Sequence, residues 1–289
     1  MSHPAPAGSS GRLVRSAALA CLQWDGAATS GTIRPAVLLL HGIGGGRQAW
    51  GDGPASTGAT LAAAGHSVLA LDLPGYGLSP PTVSDALADL ADLAHMARAV
   101  QQLIHQLGAG PMVLVGHSMG GMVAQLLVAL APQTVCGLVL ASTSPAFGKP
   151  GGDWQQAFLQ SRCAPLDAGL GMAGLAAQLV PSMVAPHTPA SVQQAAQAVM
   201  AAVPEATYRS VLAALVPFDQ RANLARISMP TLVITGEYDH AAAPEVSRRM
   251  AATIPGAQCV IVPGAGHLLP IESPAAFNAA LLAFLLTFC

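Results

Sequence analysis

Short, continuous apolar runs are the feature of this chain that most restricts what it can fold into. The runs have five or six residues each, show no polar alternation, and are separated by longer stretches. Strands of this kind are buried on both faces, as in a parallel sheet covered by helices. The sequence therefore predicts an α/β protein with a mostly parallel central sheet flanked by helices. The runs are 36–41, 67–72, 112–116, 136–141, 231–235 and 258–262.

Helical spacing of apolar residues fills the stretches between these runs. It predicts a helix over 83–107 and another that begins at Pro244. From about 144 to 219 there is no convincing strand and helical spacing recurs, so this segment is interpreted as an insertion between two strands. The predicted organisation is a core domain of residues 1–143 and 220–289, with a helical domain of residues 144–219 inserted after the sixth strand.

Neither end of the chain predicts membrane attachment. The apolar stretch 275–289 is shorter than the roughly 20 residues that span a bilayer, and Asn278 interrupts it. A side-chain cap at Ser273 followed by proline instead predicts a terminal amphipathic helix packed on the core. Near the N-terminus, Arg15 leaves too few uninterrupted apolar residues for a signal peptide. An opening strand that ends near Trp24 and a cytoplasmic location are therefore expected.

Charged residues are scarce, and their scarcity argues against several functions. Asp, Glu, Lys and Arg together make up 9% of the chain, whereas soluble domains contain about 25%. Nucleic-acid binding is not expected, since no basic stripe could neutralise phosphates. The five cysteines are scattered and lack the spacings of metal or redox pairs, so neither a metal site nor a disulfide framework is predicted. The sequence is compatible with a homo-oligomer.

A serine stands between two glycines where a predicted strand meets a predicted helix. Gly116 and Gly120 flank Ser118 at a distance of two residues each, and they permit the strained turn that lifts a nucleophilic hydroxyl out of a sheet. A helix is expected over 122–130. A serine hydroxyl needs a base to take its proton, and the base needs a carboxylate to orient it. In this architecture the partners follow in the order serine, acid, histidine.

Two later strands are each followed by a residue of the required type. Asp239 comes shortly after the strand at 231–235, and His267 comes shortly after the strand at 258–262. The sequence therefore predicts that Ser118, Asp239 and His267 form a catalytic triad. Glu237 is an alternative acid, but it lies closer to the end of its strand, so Asp239 is preferred.

A glycine-rich loop follows the first clear apolar run. Glycines at 42 and 44–46 let main-chain amides approach a substrate oxygen without a Cβ in the way. An oxyanion hole in this architecture takes one amide from this loop and one from the residue after the nucleophile. Ile43 is the preferred donor from the loop and Met119 is the second donor. Gly44 is the next candidate in the loop and is expected to contact substrate.

The same loop has a second interpretation as a dinucleotide fingerprint. Gly42 and Gly44 follow a strand, and Asp72 lies at the end of the next strand. Arg47, however, stands where the third glycine of the fingerprint is needed for close packing of the helix. This interpretation also leaves the serine turn without an explanation, so it is not preferred.

Taken together, these motifs resemble the α/β-hydrolase superfamily over nearly the whole chain. The motifs are His41-Gly42, Asp72 to Ser79, Gly116 to Gly121, Gly236 to Asp239, and Gly266-His267. The resemblance implies the α/β-hydrolase fold with a helical cap over the active site. Within the superfamily the chain is similar to small bacterial enol-lactone hydrolases, meta-cleavage product hydrolases, cofactor-free haloperoxidases and carboxylesterases. Epoxide hydrolases and haloalkane dehalogenases of this fold use aspartate as nucleophile, so Ser118 argues against both.

The expected substrate contacts in the cap are less specific. The similarity to enol-lactone hydrolases at the start of the cap implies that Trp154 contacts substrate. Arg162 and Arg209 are candidates for receiving a substrate carboxylate, although a solvated position is the ordinary expectation for each.

The sequence thus predicts a serine hydrolase that cleaves a small, largely apolar carboxylic ester or lactone through an acyl-enzyme on Ser118. A small-molecule substrate is the expected partner, without a metal, an organic cofactor, nucleic acid or a membrane. Two alternatives stay open. One is a carbon–carbon bond hydrolase of meta-cleavage-type diketo acids that uses the same triad. The other is a non-catalytic receptor of the same fold that binds a small ligand.

Overall fold

One mixed sheet organises the chain. The computed structural model describes residues 11–16, 19–27, 34–51, 53–81, 93–149 and 151–288. Within these residues the sheet has eight strands in the order β1-β2-β4-β3-β5-β6-β7-β8. β1 and β2 run antiparallel to their neighbours, and all other pairs are parallel. The strands are β1 (Arg12–Ser16), β2 (Leu19–Trp24), β3 (Val37–Leu40), β4 (Val68–Leu71), β5 (Met112–His117), β6 (Val135–Ala141), β7 (Thr231–Gly236) and β8 (Gln258–Val262).

The prediction of a mostly parallel sheet flanked by helices is confirmed. Each apolar run forms a strand whose ends lie within one residue of the predicted ends. The opening region differs from the prediction, because it forms two strands and not one. β1 lies at the edge of the sheet and is largely exposed, so it has no apolar run to reveal it.

Helices cover both faces of the sheet. The helices are α1 (Thr57–Ala63), α2 (Ala94–Leu107), α3 (Met119–Leu130), α4 (Asp153–Asp167), α5 (Gly171–Leu179), α6 (Ala190–Ala201), α7 (Glu205–Leu215), α8 (Pro244–Thr253), α9 (Leu269–Glu272) and α10 (Pro274–Leu285). α3 begins three residues before its predicted start. The helix predicted over 83–107 is present from Ala94, and residues 82–92 lie outside the described part of the chain.

Side chains alternate between two apolar layers along each central strand. On β3, Leu38 and Leu40 belong to the cluster that includes α2, α3 and α8, whereas Val37 and Leu39 belong to the cluster that includes α1 and α10. This alternation explains the continuous apolar runs, since a strand covered by helices on both faces needs apolar side chains in both directions.

The terminal helix α10 packs on the core and begins at Pro274 after Ser273, as predicted, but Ser273 makes no side-chain capping hydrogen bond. The amide of Ser273 donates to the carbonyl of Leu269, and the chain passes directly from α9 into α10. Asn278, which interrupts the apolar stretch, accepts a hydrogen bond from Thr57 of α1 at 2.8 Å. Among the helices of the described residues, none has the length and apolar character needed to cross a membrane.

Between β6 and β7 the chain forms α4 to α7, and we call residues 144–219 the helical segment. Its two ends lie side by side, since Phe147 donates to the carbonyl of Phe218 (3.0 Å) and Gln220 donates to that of Pro145 (2.7 Å). The segment thus leaves and rejoins the sheet at one place. Its assignment as a separate cap domain stays a prediction.

The helix after Ser118 packs unusually close to the sheet. A Cβ on Gly120 would collide with the main-chain carbonyl of Leu40 in β3, and a Cβ on Gly121 would lie 2.7 Å from the side chain of Thr143. Main-chain atoms cannot move aside as a flexible side chain can. The position of α3 on the sheet therefore depends on glycine at residue 120.

We expect Gly120→Ala to lower the free energy of unfolding by at least about 1–3 kcal/mol, the usual range for overpacking. Denaturant unfolding monitored by circular dichroism measures the loss. Gly53→Ala is the matched control, since a Cβ there meets open space. Equal stabilities for the two variants would show that the contact with Leu40 is easily relieved.

Candidate active site

Ser118 occupies a strained turn between β5 and α3. Its φ of 52° and ψ of −118° lie outside the conformations that a residue with a Cβ readily adopts. Neighbouring strand β6 and the residues after it hold the turn in place. The amide of Ser118 donates to Ala141 at 2.9 Å, and its carbonyl accepts from the hydroxyl of Thr143 at 2.7 Å. The strain is thus maintained by hydrogen bonds from outside the turn.

The structure brings the three predicted triad residues together. Nε2 of His267 lies 3.1 Å from Oγ of Ser118. Nδ1 of the same ring lies 3.0 Å from each carboxylate oxygen of Asp239. Asp239 and His267 are both buried. Glu237, the alternative acid, instead accepts a hydrogen bond from the amide of Gly264 in an exposed position.

Asp239 is held as a carboxylate. Burial alone would raise its pKa, but the charge interaction and hydrogen bonding with His267 and the hydrogen bond from the amide of Ala242 outweigh burial and lower the pKa to about 2. The amides of Ala241 and Ala242 donate to Oδ1 at 2.9 and 2.8 Å, and the hydroxyl of Thr235 lies 3.1 Å from Oδ2. An ionised Asp239 accepts a hydrogen bond from the N–H at Nδ1 of His267, which leaves Nε2 as the acceptor facing Ser118.

Main-chain hydrogen bonds fix the loop that carries His267. Its amide donates to the carbonyl of Met183 in the helical segment at 2.7 Å. Glu272 accepts from the amide of Gly266 on the same loop and from the amide of Ala185 at 3.0 Å. Met183 and Glu272 are not predicted from the sequence, because neither belongs to a motif. Each bonds to a residue in a distant part of the sequence, Met183 to His267 and Glu272 to Ala185.

His117 is a further residue that sequence analysis left without a role. Its Nε2 lies 2.7 Å from the main-chain carbonyl of His267, so this nitrogen carries the proton and donates. Burial, together with the nearby ring of His267, lowers the pKa of His117 to about 4. His117 is therefore neutral at pH 7 and joins the serine turn to the histidine loop.

The two amides predicted to form an oxyanion hole lie near Ser118. Met119 is the first residue of α3, so its amide is one of those that find no acceptor within the helix. The carbonyl of Ile43 accepts a hydrogen bond from the buried hydroxyl of Tyr76 at 3.1 Å, which fixes the loop at that residue. Ile43, Gly44 and Met119 line the same cavity as Ser118. Their contact with a reacting oxygen stays a prediction.

The carboxylate of Asp72 accepts hydrogen bonds from Arg47 and Leu78. It accepts from the amide of Arg47 at 2.9 Å, from the guanidinium of Arg47, and from the amide of Leu78 at 2.9 Å. In a dinucleotide site this carboxylate would bind a ribose hydroxyl. Here it anchors the glycine-rich loop, which disfavours the dinucleotide interpretation.

Two cavities meet at Ser118 and His267. The small cavity has a volume of about 50 Å³ and is lined mainly by apolar residues, among them Trp50 and Val199. The large cavity has a volume of about 750 Å³ and extends beneath the helical segment. Ile43, Gly44, Met183 and Met200 line both. A group bound at Ser118 can therefore extend in two directions.

The predicted substrate contacts in the helical segment divide into two kinds. Trp154 and Arg162 line the large cavity, and the ring of Trp154 packs against Phe147 and Phe158 although it is 56% exposed. Arg209 does not line it. This arginine pairs at the surface with Glu205 and Asp167, as expected for a solvated position. Among the described residues, no three His, Cys, Asp or Glu side chains lie close enough together to hold a metal ion.

A sheet of this topology, with a serine on a strained turn after its fifth strand, defines the class of α/β hydrolases. Residues 35–274 match the sequence profile of the family described as "alpha/beta hydrolase fold". The chain therefore belongs to the α/β-hydrolase family, which confirms the resemblance found in its motifs.

Relatives within this family are named for different reactions. A protein named "Putative carbamate hydrolase RutD" from Variovorax paradoxus is 34% identical over 86% of this chain and 91% of its own. A 2-hydroxy-6-oxononadienedioate/2-hydroxy-6-oxononatrienedioate hydrolase from Cupriavidus pinatubonensis is 30% identical over 86% of each chain. The solved structure of a thermophilic esterase from Thermogutta terrifontis superposes with a TM-score of 0.77 at 25% identity and covers 93% of this chain and 94% of its own. All are named as hydrolases or as an esterase, and the bonds they are named for differ.

We expect the free energy of unfolding to fall by about 2 kcal/mol between pH 7 and pH 5 on account of His117 alone. The unfolded residue takes up a proton near pH 6.5, whereas the folded residue does so only near pH 4. Its contribution to stability is thus present above pH 6.5 and is lost as the pH falls toward 4. Denaturant unfolding at the two pH values measures it.

His117→Asn should show a correspondingly smaller loss between the two pH values. Replacement of the exposed His105 by Asn is the control and should leave the pH dependence of the parent protein unchanged. A His117→Asn variant with the full pH dependence of the parent would contradict the assignment of a buried, neutral ring.

Proposed function

We propose that this protein is a serine hydrolase that cleaves a small, largely apolar carboxylic ester or lactone through an acyl-enzyme on Ser118. The proposal rests on one observation above all. The hydroxyl of Ser118 lies 3.1 Å from Nε2 of His267. The other ring nitrogen of His267, Nδ1, is hydrogen-bonded to the ionised, buried carboxylate of Asp239. This arrangement gives a serine hydroxyl the base that it needs to act as a nucleophile.

Each group has a defined part in the proposed reaction. Nε2 of His267 accepts the proton of Ser118 as Oγ attacks the carbonyl carbon. Asp239 holds the proton on Nδ1 and stabilises the imidazolium that forms. The amides of Ile43 and Met119 donate to the oxyanion of the tetrahedral intermediate. His267 then gives its proton to the leaving alkoxide, and a water molecule activated by the same histidine releases the acid.

The unequal volumes of the two cavities favour a substrate with one short side and one longer side. The scissile carbonyl would lie at Ser118, with one side of the ester in the small cavity and the other in the large cavity. The small cavity admits only a short group, and its apolar lining favours hydrocarbon over a charged or strongly polar group.

The carbon–carbon hydrolase alternative has a specific observation in its favour. The Cupriavidus pinatubonensis relative, which is 30% identical over most of both chains, is named for a dienedioate substrate. The triad geometry serves either reaction. A comparison of aryl esters with a meta-cleavage-type diketo acid separates them, and the larger kcat/KM identifies the preferred class.

A fluorophosphonate probe tests the nucleophile. We expect one equivalent to react and mass spectrometry to locate it on Ser118, with no reaction in Ser118→Ala. Ser182→Ala removes another hydroxyl from the large cavity and should react as the parent does. Tight ligand binding without any labelling or turnover in the parent would favour the non-catalytic receptor.

Asp239→Asn should lower kcat on the best ester by about 10⁴-fold, because the amide cannot hold His267 in the required tautomer. Glu237→Gln is the matched control and should lower kcat by less than about threefold, since the Glu237 side chain accepts a hydrogen bond from the amide of Gly264 in an exposed position. A larger effect of Glu237→Gln than of Asp239→Asn would assign the acid to residue 237.

A further inference from the structure

Arg162 lies on α4 and lines the large cavity. Its side chain is partly buried, and the guanidinium carbon lies 3.5 Å from the centre of the Phe158 ring. Nη1 donates to the hydroxyl of Ser161 at 2.7 Å and approaches the carbonyl of Phe158 at 3.4 Å. These contacts hold the planar group in one orientation inside the cavity that opens on Ser118 and His267.

The positive charge of Arg162 has no carboxylate to balance it. Arg47, Arg209, Arg221 and Arg248 each form an ion pair, and no described carboxylate does so with Arg162. Within the part of the chain that the structure describes, Nε and Nη2 of Arg162 also donate to no acceptor. These two nitrogens form the side of the guanidinium that binds a carboxylate through two parallel hydrogen bonds.

The surroundings of Arg162 favour an anion as the missing partner. Among the described residues, no Asp, Glu or Lys lines either cavity, so Arg162 carries the one permanent charge on the described part of their walls. Burial lowers the pKa of Arg162, which shows that desolvation opposes its charge. An unpaired, partly buried cation is unfavourable, and an anionic ligand would relieve that condition.

Tyr208 provides a second polar group at the same place. It lines the large cavity and lies close enough for the charge of Arg162 to act on its hydroxyl. Burial raises the pKa of Tyr208 to about 12 although Arg162 opposes the rise. The hydroxyl therefore keeps its proton at pH 7 and is able to donate a hydrogen bond to an anion.

We propose that the substrate carries a carboxylate and that Arg162 and Tyr208 form its binding site in the large cavity. This inference rests on the proposed function, because the cavity is the one that contains Ser118. A carboxylate fits better than a phosphate. One guanidinium balances one negative charge, and the two free nitrogens match the two carboxylate oxygens. Among the described residues, no second Arg and no Lys lines either cavity to balance a dianion.

Two matched pairs of esters test the site. In the first pair, 3-carboxyphenyl acetate is compared with 3-carbamoylphenyl acetate, which places the anion on the alcohol side. In the second, the phenyl monoester of glutaric acid is compared with the phenyl ester of glutaramic acid, which places it on the acyl side. The ratio of kcat/KM for the carboxylate to that for the carboxamide is measured in each pair.

We expect the parent protein to prefer the carboxylate in one pair by about ten- to hundredfold, the range for charge-assisted hydrogen bonds. Arg162→Gln should bring that ratio close to one, and Arg162→Lys should retain part of it by keeping the charge. Arg209→Gln is the matched control. It removes an arginine of the same helical segment that is paired at the surface, and should leave the ratio unchanged.

Three results would overturn the proposal. They are a ratio near one for both pairs in the parent, an equal loss for both members of a pair in Arg162→Gln, and a shift in Arg209→Gln as large as that in Arg162→Gln. If no ester is hydrolysed, the proposed function fails. The carboxylate site is then tested by calorimetric binding of the members of both pairs to Ser118→Ala. A preference for the carboxylate in one pair that disappears in Ser118→Ala/Arg162→Gln supports the site, and equal binding within both pairs overturns it.

Discussion

The contact of α3 with the sheet at Gly120 is the constraint on which the rest of the site depends. Because no side chain separates this residue from the carbonyl of Leu40, the helix begins directly beside β3. The chain reverses into it through the strained conformation of Ser118. The same close approach brings the amide of Met119 near the loop that contains Ile43. This contact thus sets the start of the helix that carries Met119, while hydrogen bonds from Ala141, Thr143 and Tyr76 hold Ser118 and the loop of Ile43.

At the site, the carboxylate of Asp239 is charged, whereas the buried side chains of His117 and His41 are neutral. Asp239 gains enough from His267 and from main-chain amides to stay ionised despite burial. His117 and His41 are buried without a carboxylate partner, and burial lowers the pKa of each to about 4. They serve as neutral hydrogen-bonding groups, with His117 bound to the carbonyl of His267 and His41 accepting from the amide of Leu73. Because His117 is neutral, its ring adds no charge beside the ring of His267, whose centre lies 5.3 Å away.

Patterns in the sequence predicted those features of the structure that depend on residues close together in the chain. Apolar runs located the central strands, and the glycines around Ser118 located the turn, since a buried strand and a strained turn each restrict residue type. Order along the chain placed Asp239 and His267. The edge strand β1 was missed because exposed residues carry no apolar signal. Ser273 precedes α10 as predicted, but its side chain makes no capping hydrogen bond, and a helix already ends at the residue before it. The roles of Met183, Glu272 and His117 depend on contacts between distant segments, which no local pattern contains.

The helical segment contributes to the framework of the site as well as to its walls. Met183 accepts the amide hydrogen of His267, and Ala185 donates to Glu272, which also binds the amide of Gly266. Displacement of residues 183–185 from the core would break both links and release the loop that holds the histidine. Arg162 and Trp154 lie on α4, the first helix of the segment, and line only the large cavity. The segment therefore combines a part that supports the loop of the candidate catalytic histidine with a part whose side chains line the large cavity.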